Sequence, residues 1–247
     1  MMFKTTLARG LPLVLLTMTV AQAAAPRDAE VQINLCGARD AVIRALHLKP
    51  AGAAFEAWYF ETTDFALFRE GILFRLRIKP HGAWLTLKVA NQNCAEIAPV
   101  LLPAREAKCE YDIHGEHTAG AVSITATLDD AGVQLLSARP DALSDVLSPA
   151  QVAYLRMRGV WPLAALLERV GPVRVQPFRH QGDEFIVESW QLPAGQQYLE
   201  ISQKSSQANA PHVQEYLTAR LARSGVEMCQ DQGSQAATKL RQLFGAR

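Results

Sequence analysis

From Glu30 to Leu35 the chain reads EVQINL, apolar and polar by turns. Period-two alternation belongs to a half-buried strand, so Val31, Ile33 and Leu35 share one face and Glu30, Gln32 and Asn34 the other. FEAWYFET, from Phe55, reads as a short aromatic strand, and DFALFREG as a turn of helix stopped at Gly71. FRLRIKPHGAWLTLK, from Phe74 to Lys88, alternates, breaks at a turn signal and alternates again, which predicts a hairpin. Pairing Arg75 with Lys88 sets Leu76 against Leu87 and Arg77 against Thr86. KCEYDIHG gathers Lys108, Glu110 and Asp112 on one face, and VSITATL predicts a further strand. GARDAVIRALHL, PAQVAYLRMRG behind a Ser148 cap, PLAALLERVG, APHVQEYLTARLARSG and SQAATKLRQLFG carry helical patterns. Strand character returns in VRVQPFRH, EFIVESWQL and YLEISQK, and a hairpin centred on Ala194 opposes Glu188 to Glu200. Seven or eight strands, mostly in hairpins with helices between them, predict an α+β fold. Its expected form is an antiparallel, eight-stranded, closed or nearly closed barrel with helices packed outside.

The charges raise a question of place. Like charges directly opposed on a sheet are unfavourable by up to about 1 kcal/mol. The pattern makes sense if Arg75, Arg77 and Lys88 meet a bound anion and Glu188 and Glu200 a bound cation. Two alternatives stand beside this one: a solvated outer sheet face, and internal salt bridges that fill the interior. The apolar face (Phe74, Leu76, Ile78, Leu85, Leu87, Leu199, Ile201) needs cover, and the helices can supply it. That puts the polar face on the concave inside. His114 and His117 in HGEH read as a turn, and the four tryptophans as packing between barrel and helices.

The first residues narrow the setting. Lys4 and Arg9 precede the apolar run Leu11–Val20 and the small-residue pattern Ala21-Gln22-Ala23, which reads as a secretory signal cleaved after Ala23. The expected product is one domain over 24–247, periplasmic or secreted, monomeric and without a membrane anchor. With Lys4 and Arg9 removed, 23 basic residues face 24 acidic ones, a balance that argues against a nucleic-acid partner. Four cysteines in an exported chain suggest disulfides. Cys94 with Cys109 would close a loop and Cys36 with Cys229 would tie the ends, free buried thiols being the alternative.

At these residues the chain resembles the CYTH domain, or triphosphate tunnel metalloenzyme, superfamily. YFET (Tyr59–Thr62) is similar to its Tyr-Phe-Asp-Thr strand, and LFREGILFRLR (Leu67–Arg77) to its Leu-x3-Gly-x2-hydrophobic-Arg-x-Arg pattern. LTLK (Leu85–Lys88) matches as it stands, KCEYD and YLEIS are similar to later strands, and EVQINL occupies the place of the signature Glu-x-Glu-x-Lys. The resemblance implies an eight-stranded charged tunnel, divalent Mg or Mn, and metal-assisted hydrolysis of a polyphosphate or phosphorylated small molecule. It implies Arg75, Arg77, Lys88, Lys108 and Arg174 as ligands of a small phosphate-rich anion, since guanidinium and ammonium groups make charge-assisted bonds to phosphate oxygens. It implies Glu30, Glu110, Asp112, Glu188 and Glu200 as metal ligands, with Glu30, Glu110 and Glu200 catalytic. The departures are Gln32 and Asn34 in the signature strand and Ser202 beside Glu200. Lys239 is the counterpart considered for a C-terminal lysine. These losses keep two other functions in view: an anion-binding module without turnover, and a structural envelope protein.

Overall fold

The computed structural model describes residues 28–94, 96, 106–161 and 167–232. The expected leader, the helix SQAATKLRQLFG and Lys239 lie outside them. The strands are β1 (Ala29–Leu35), β2 (Lys49–Pro50), β3 (Phe55–Glu61), β4 (Ile72–Lys79), β5 (Gly82–Val89), β6 (Ala107–His114), β7 (His117–Leu128), β8 (Glu168–Arg179), β9 (Ile186–Gln191) and β10 (Gln197–Ser205). The helices are α1 (Arg39–Ala45), α2 (Ala66–Arg69), α3 (Asp130–Ala138), α4 (Pro149–Met157) and α5 (Ala210–Arg223), with 3-10 turns at Pro140–Val146 and Gln207–Asn209.

The strands close on themselves in the order β8-β3-β4-β5-β7-β6-β1-β10-β9, with β9 pairing back onto β8 and the two-residue β2 on the edge of β8. The barrel therefore has nine strands, not eight, and it is mixed. β1 lies antiparallel to β10 but parallel to β6, with Glu30 beside Asp112. β7 holds the expected VSITATL strand, paired to β5, and extends it back to His117: HTAGA has small residues and little alternation, and pairing with β6 makes it a strand. PLAALLERVG is corrected at its end, because Glu168 to Gly171 belong to β8.

The first hairpin turns two residues away from its expected register. Arg75 faces Thr86, Leu76 faces Leu85, and Lys88 faces Leu73. Side chains alternate with a period of two, so a two-residue slip changes partners and keeps every side chain on its face. The hairpin of β9 and β10 pairs Glu188 with Glu200 as expected.

Helices cover the outer wall in two places. Val31, Ile33, Leu199 and Ile201 pack against Val42 of α1 and Val213, Leu217 and Leu221 of α5. Phe74, Leu76, Leu85, Leu87 and Ile124 pack under Leu136 of α3, Leu143 and Tyr154 and Leu155 of α4. α4 begins with a capping box, Ser148 accepting from the Gln151 N–H and the Gln151 side chain accepting from the Ser148 N–H. That buried amide also donates to the carbonyls of Leu85 and Ile124, both at 3.0 Å, which fixes α4 on the barrel.

Candidate anion-binding lumen

With those apolar rows outside, the alternate positions point inward. β4 contributes Arg75 and Arg77, β5 Thr86 and Lys88, β6 Lys108, Glu110, Asp112 and His114, β1 Glu30, Gln32 and Asn34, β9 Glu188, and β10 Glu200, Ser202 and Lys204. β3 and β8 contribute apolar residues instead. Ala57, Tyr59, Val173 and Val175 form a cluster inside the barrel with Trp190 and Leu192. Trp190 thus lines the lumen, as does Trp84 opposite Arg77, whereas Trp58 and Trp161 pack beneath the outer helices.

The sequence-derived candidates divide into three groups. Arg75 and Arg77 stand beside the apolar wall, with Tyr59 directly across from Arg75. Among the described residues neither has a carboxylate oxygen within 4.0 Å, and both Nε atoms are buried without a hydrogen-bond partner. Burial, and then the like charge of Arg75, pull the Arg77 guanidinium well below its usual range, to about 10, against the attraction of Glu188, Tyr59 and Glu30. Arg77 therefore stays charged at neutral pH in a place that compensates it poorly. Burial likewise raises the Tyr59 phenol, although the two arginines oppose this.

The second group is paired internally. Lys88 bridges Asp112, and Lys108 bridges Glu110. Lys204, which the sequence pattern did not bring forward, donates to Glu30 Oε2 and to Glu110 Oε1, each at 2.9 Å. Burial would raise the Glu30 carboxyl, but the charge and hydrogen bond of Lys204, with Ser202 and Lys88, hold it below its usual range. The Lys204 ammonium, which burial would lower, is raised by Glu30 and Glu110.

The third group is Arg174, which does not join the lumen. It pairs with Glu56 and Gln191 on the outer face and is exposed. There it lines a pocket of about 270 Å³ with Arg39, Gln176, Ser189, Gln191 and Gln197.

A divalent metal needs several oxygens converging on one point. Among the described residues no three His, Cys, Asp or Glu side chains do so. Glu30 and Glu110 converge instead on Lys204, and Glu110 and Asp112 on two further lysines. The carboxylates as they stand do not fit the metal that the resemblance implies.

Two signature residues have structural work. Asn34 donates to the Asp231 carbonyl at 3.0 Å, and its own N–H donates to Gln232 Oε1 at 2.9 Å, so it ties down the chain after α5. Glu61 of YFET is buried and accepts from the N–H groups of Thr62, Leu67 and Phe68 at 2.8, 3.0 and 2.8 Å, which caps the first turn of α2. Both expected disulfides are present, Cys36–Cys229 and Cys94–Cys109. No helix among the described residues is long and apolar enough to cross a membrane.

No family model matches the chain, and no curated protein matches it in sequence. Solved structures do match in shape. A candidate adenylate cyclase from Bacillus halodurans superposes with a TM-score of 0.57 at 16% identity, over 84% of this chain and 95% of that one. A candidate adenylyl cyclase from Hippeastrum, reported to have a dominant triphosphatase activity, superposes with a TM-score of 0.60 at 15% identity, over 84% and 92%. The fold is a CYTH-like barrel.

Proposed function

We propose that this chain is exported and that its barrel binds a phosphate-rich small molecule, with Arg75 and Arg77 as the principal ligands. The observation that carries the reading is the half-buried guanidinium pair, its Nε atoms buried and unpartnered, without a carboxylate in ion-pair range among the described residues. Two such groups repel each other, and an anion placed between them relieves both the repulsion and the lost hydration. Phosphate oxygens suit them because a guanidinium can donate two parallel bonds to one group. Lys88 stands on the adjacent strand and can exchange Asp112 for the ligand.

A second reading is turnover, metal-assisted hydrolysis of a polyphosphate or phosphorylated small molecule. Its support is the triphosphatase activity of the Hippeastrum protein with this fold. One experiment separates the two. Tripolyphosphate is added to the purified protein, thermal unfolding is followed, and released phosphate is measured with and without Mg or Mn. Binding alone raises the melting temperature and releases nothing. Release above background that needs Mg or Mn establishes turnover. Charge reversal of Arg75 and Lys88 together should abolish the shift while circular dichroism stays native; an undiminished shift removes the ligand assignment.

A further inference from the structure

The carboxylate side of the lumen carries more than a failed metal site. Glu30 on β1, Glu110 on β6 and Lys204 on β10 come from three adjacent strands, and Glu30 and Lys204 are direct cross-strand partners. The Lys204 Nζ sits 2.9 Å from one oxygen of each carboxylate, between two of the residues that the resemblance names as metal ligands. The other Glu110 oxygen goes to Lys108, and Asp112 goes to Lys88. Three carboxylates are thus met by three ammonium groups. A divalent cation entering this cluster would bring two further positive charges to a place already neutral. It would also have to displace the Lys204 ammonium from oxygens partly withdrawn from water.

We propose that Lys204 is a built-in cation that takes the place of a divalent metal between Glu30 and Glu110, so that the lumen holds its anion without Mg or Mn. The reading deepens the anion-binding function and rests on it for its second half only. The metal-replacement half stands on the geometry of Glu30, Glu110 and Lys204. Removing the ammonium should uncover a latent divalent-cation site, because two carboxylates would then face each other with Asp112 alongside. An arginine at the same place keeps the charge and should keep the metal out.

The test titrates Mn2+ into the purified chain without phosphate and reads free Mn2+ by electron paramagnetic resonance. The wild type and Lys204→Arg should leave Mn2+ free, and Lys204→Met should bind one equivalent at least tenfold more tightly than either. Equal Mn2+ affinity in all three proteins would overturn the proposal, whatever tripolyphosphate does. Should Lys204→Met fail to fold, the wild type decides by itself: one Mn2+ bound tightly overturns it, and no binding supports it. In a separate arm, the tripolyphosphate affinity of the wild type is measured in a chelator and in excess Mg2+. Equal affinity, within about twofold after correction for free anion, supports the proposal. A tenfold gain with Mg2+ contradicts it, and absence of any tripolyphosphate binding faults the anion reading while leaving the Mn2+ result to stand.

Discussion

Arg77 shows how a single side chain can oppose stability and serve binding. Its side chain shares a face with Arg75 and stands across from Ala57 of the apolar wall, and burial is the largest influence on it. Arg77→Met should therefore leave the protein as stable as before or more so, since a buried, poorly compensated charge is replaced by an apolar chain of similar length. Tripolyphosphate affinity should fall roughly ten- to hundredfold, the loss of a charge-assisted bond worth about 1.5–3 kcal/mol. Urea denaturation and calorimetric titration read the two effects, and a less stable variant with intact affinity contradicts the assignment. His114 makes a prediction of the opposite kind. It is buried at the end of β6, with Nδ1 lacking a partner, and burial lowers it below its usual 6.5 despite the attraction of Asp112. The fold thus prefers the neutral ring, the unfolded chain takes up the proton first, and stability is lost as pH falls through about 6.5 and below. Urea midpoints from pH 8 to 5 should decline, and His114→Leu should flatten that part of the slope. Glu30 adds a second loss at lower pH, because its lowered carboxyl contributes stability that disappears as it protonates. The like-signed grouping of Arg75 and Arg77 was legible from alternation. The role of Lys204 was not, because a lysine near the end of a strand looks the same whether it meets water or two carboxylates from other strands.

At the scale of elements, β4 and β5 were legible because apolar and polar residues alternate along Phe74–Ile78 and Leu85–Lys88, and β9 and β10 because a short Gly-containing loop joins two strand-like segments in a local hairpin. The slip of the β4–β5 register was harmless to facing for the same period-two reason. β7 was harder to read. Its first half is small residues, and the need for them lies in a distant segment: the Gln92 N–H donates to the Gly120 carbonyl at 2.9 Å, and a Cβ added at Gly120 would lie 2.0 Å from the Gln92 carbonyl oxygen. That neighbour is backbone and cannot swing aside. Gly120→Ala should cost about 1–3 kcal/mol, as overpacking does, read as a lower urea midpoint. α3 was not anticipated, although Asp129 accepts from the Gly132 N–H as an N-cap. The end of PLAALLERVG was read as helix because its apolar run suits either element, and pairing with β3 decides it for strand.

At the scale of the molecule, Cys36 and Cys229 join the end of β1 to the chain beyond α5 across a separation of 193 residues, beside backbone bonds from Cys36 to Glu227 and from Cys229 to Asn34. Replacing both cysteines by alanine should cost about 2–5 kcal/mol, because the unfolded chain loses a very long closed loop. The melting temperature should fall and become insensitive to reductant acting on this pair; no change would mean that the backbone bonds alone hold the end. The alternation of apolar and polar residues by itself determined which side chains share a face and, with the helical patterns, that the fold is α+β, and the even cysteine count suggested disulfides. These are properties of neighbouring residues and of composition. Closure was decided only in three dimensions: β1 slips in parallel to β6, β9 returns to β8, and nine strands complete the circle. Closure also chose which charges meet. It left Arg75 and Arg77 beside an apolar wall, sent Arg174 outside, and brought Lys204 to Glu30 and Glu110, since contacts across a barrel depend on strand order and stagger, which no local pattern encodes.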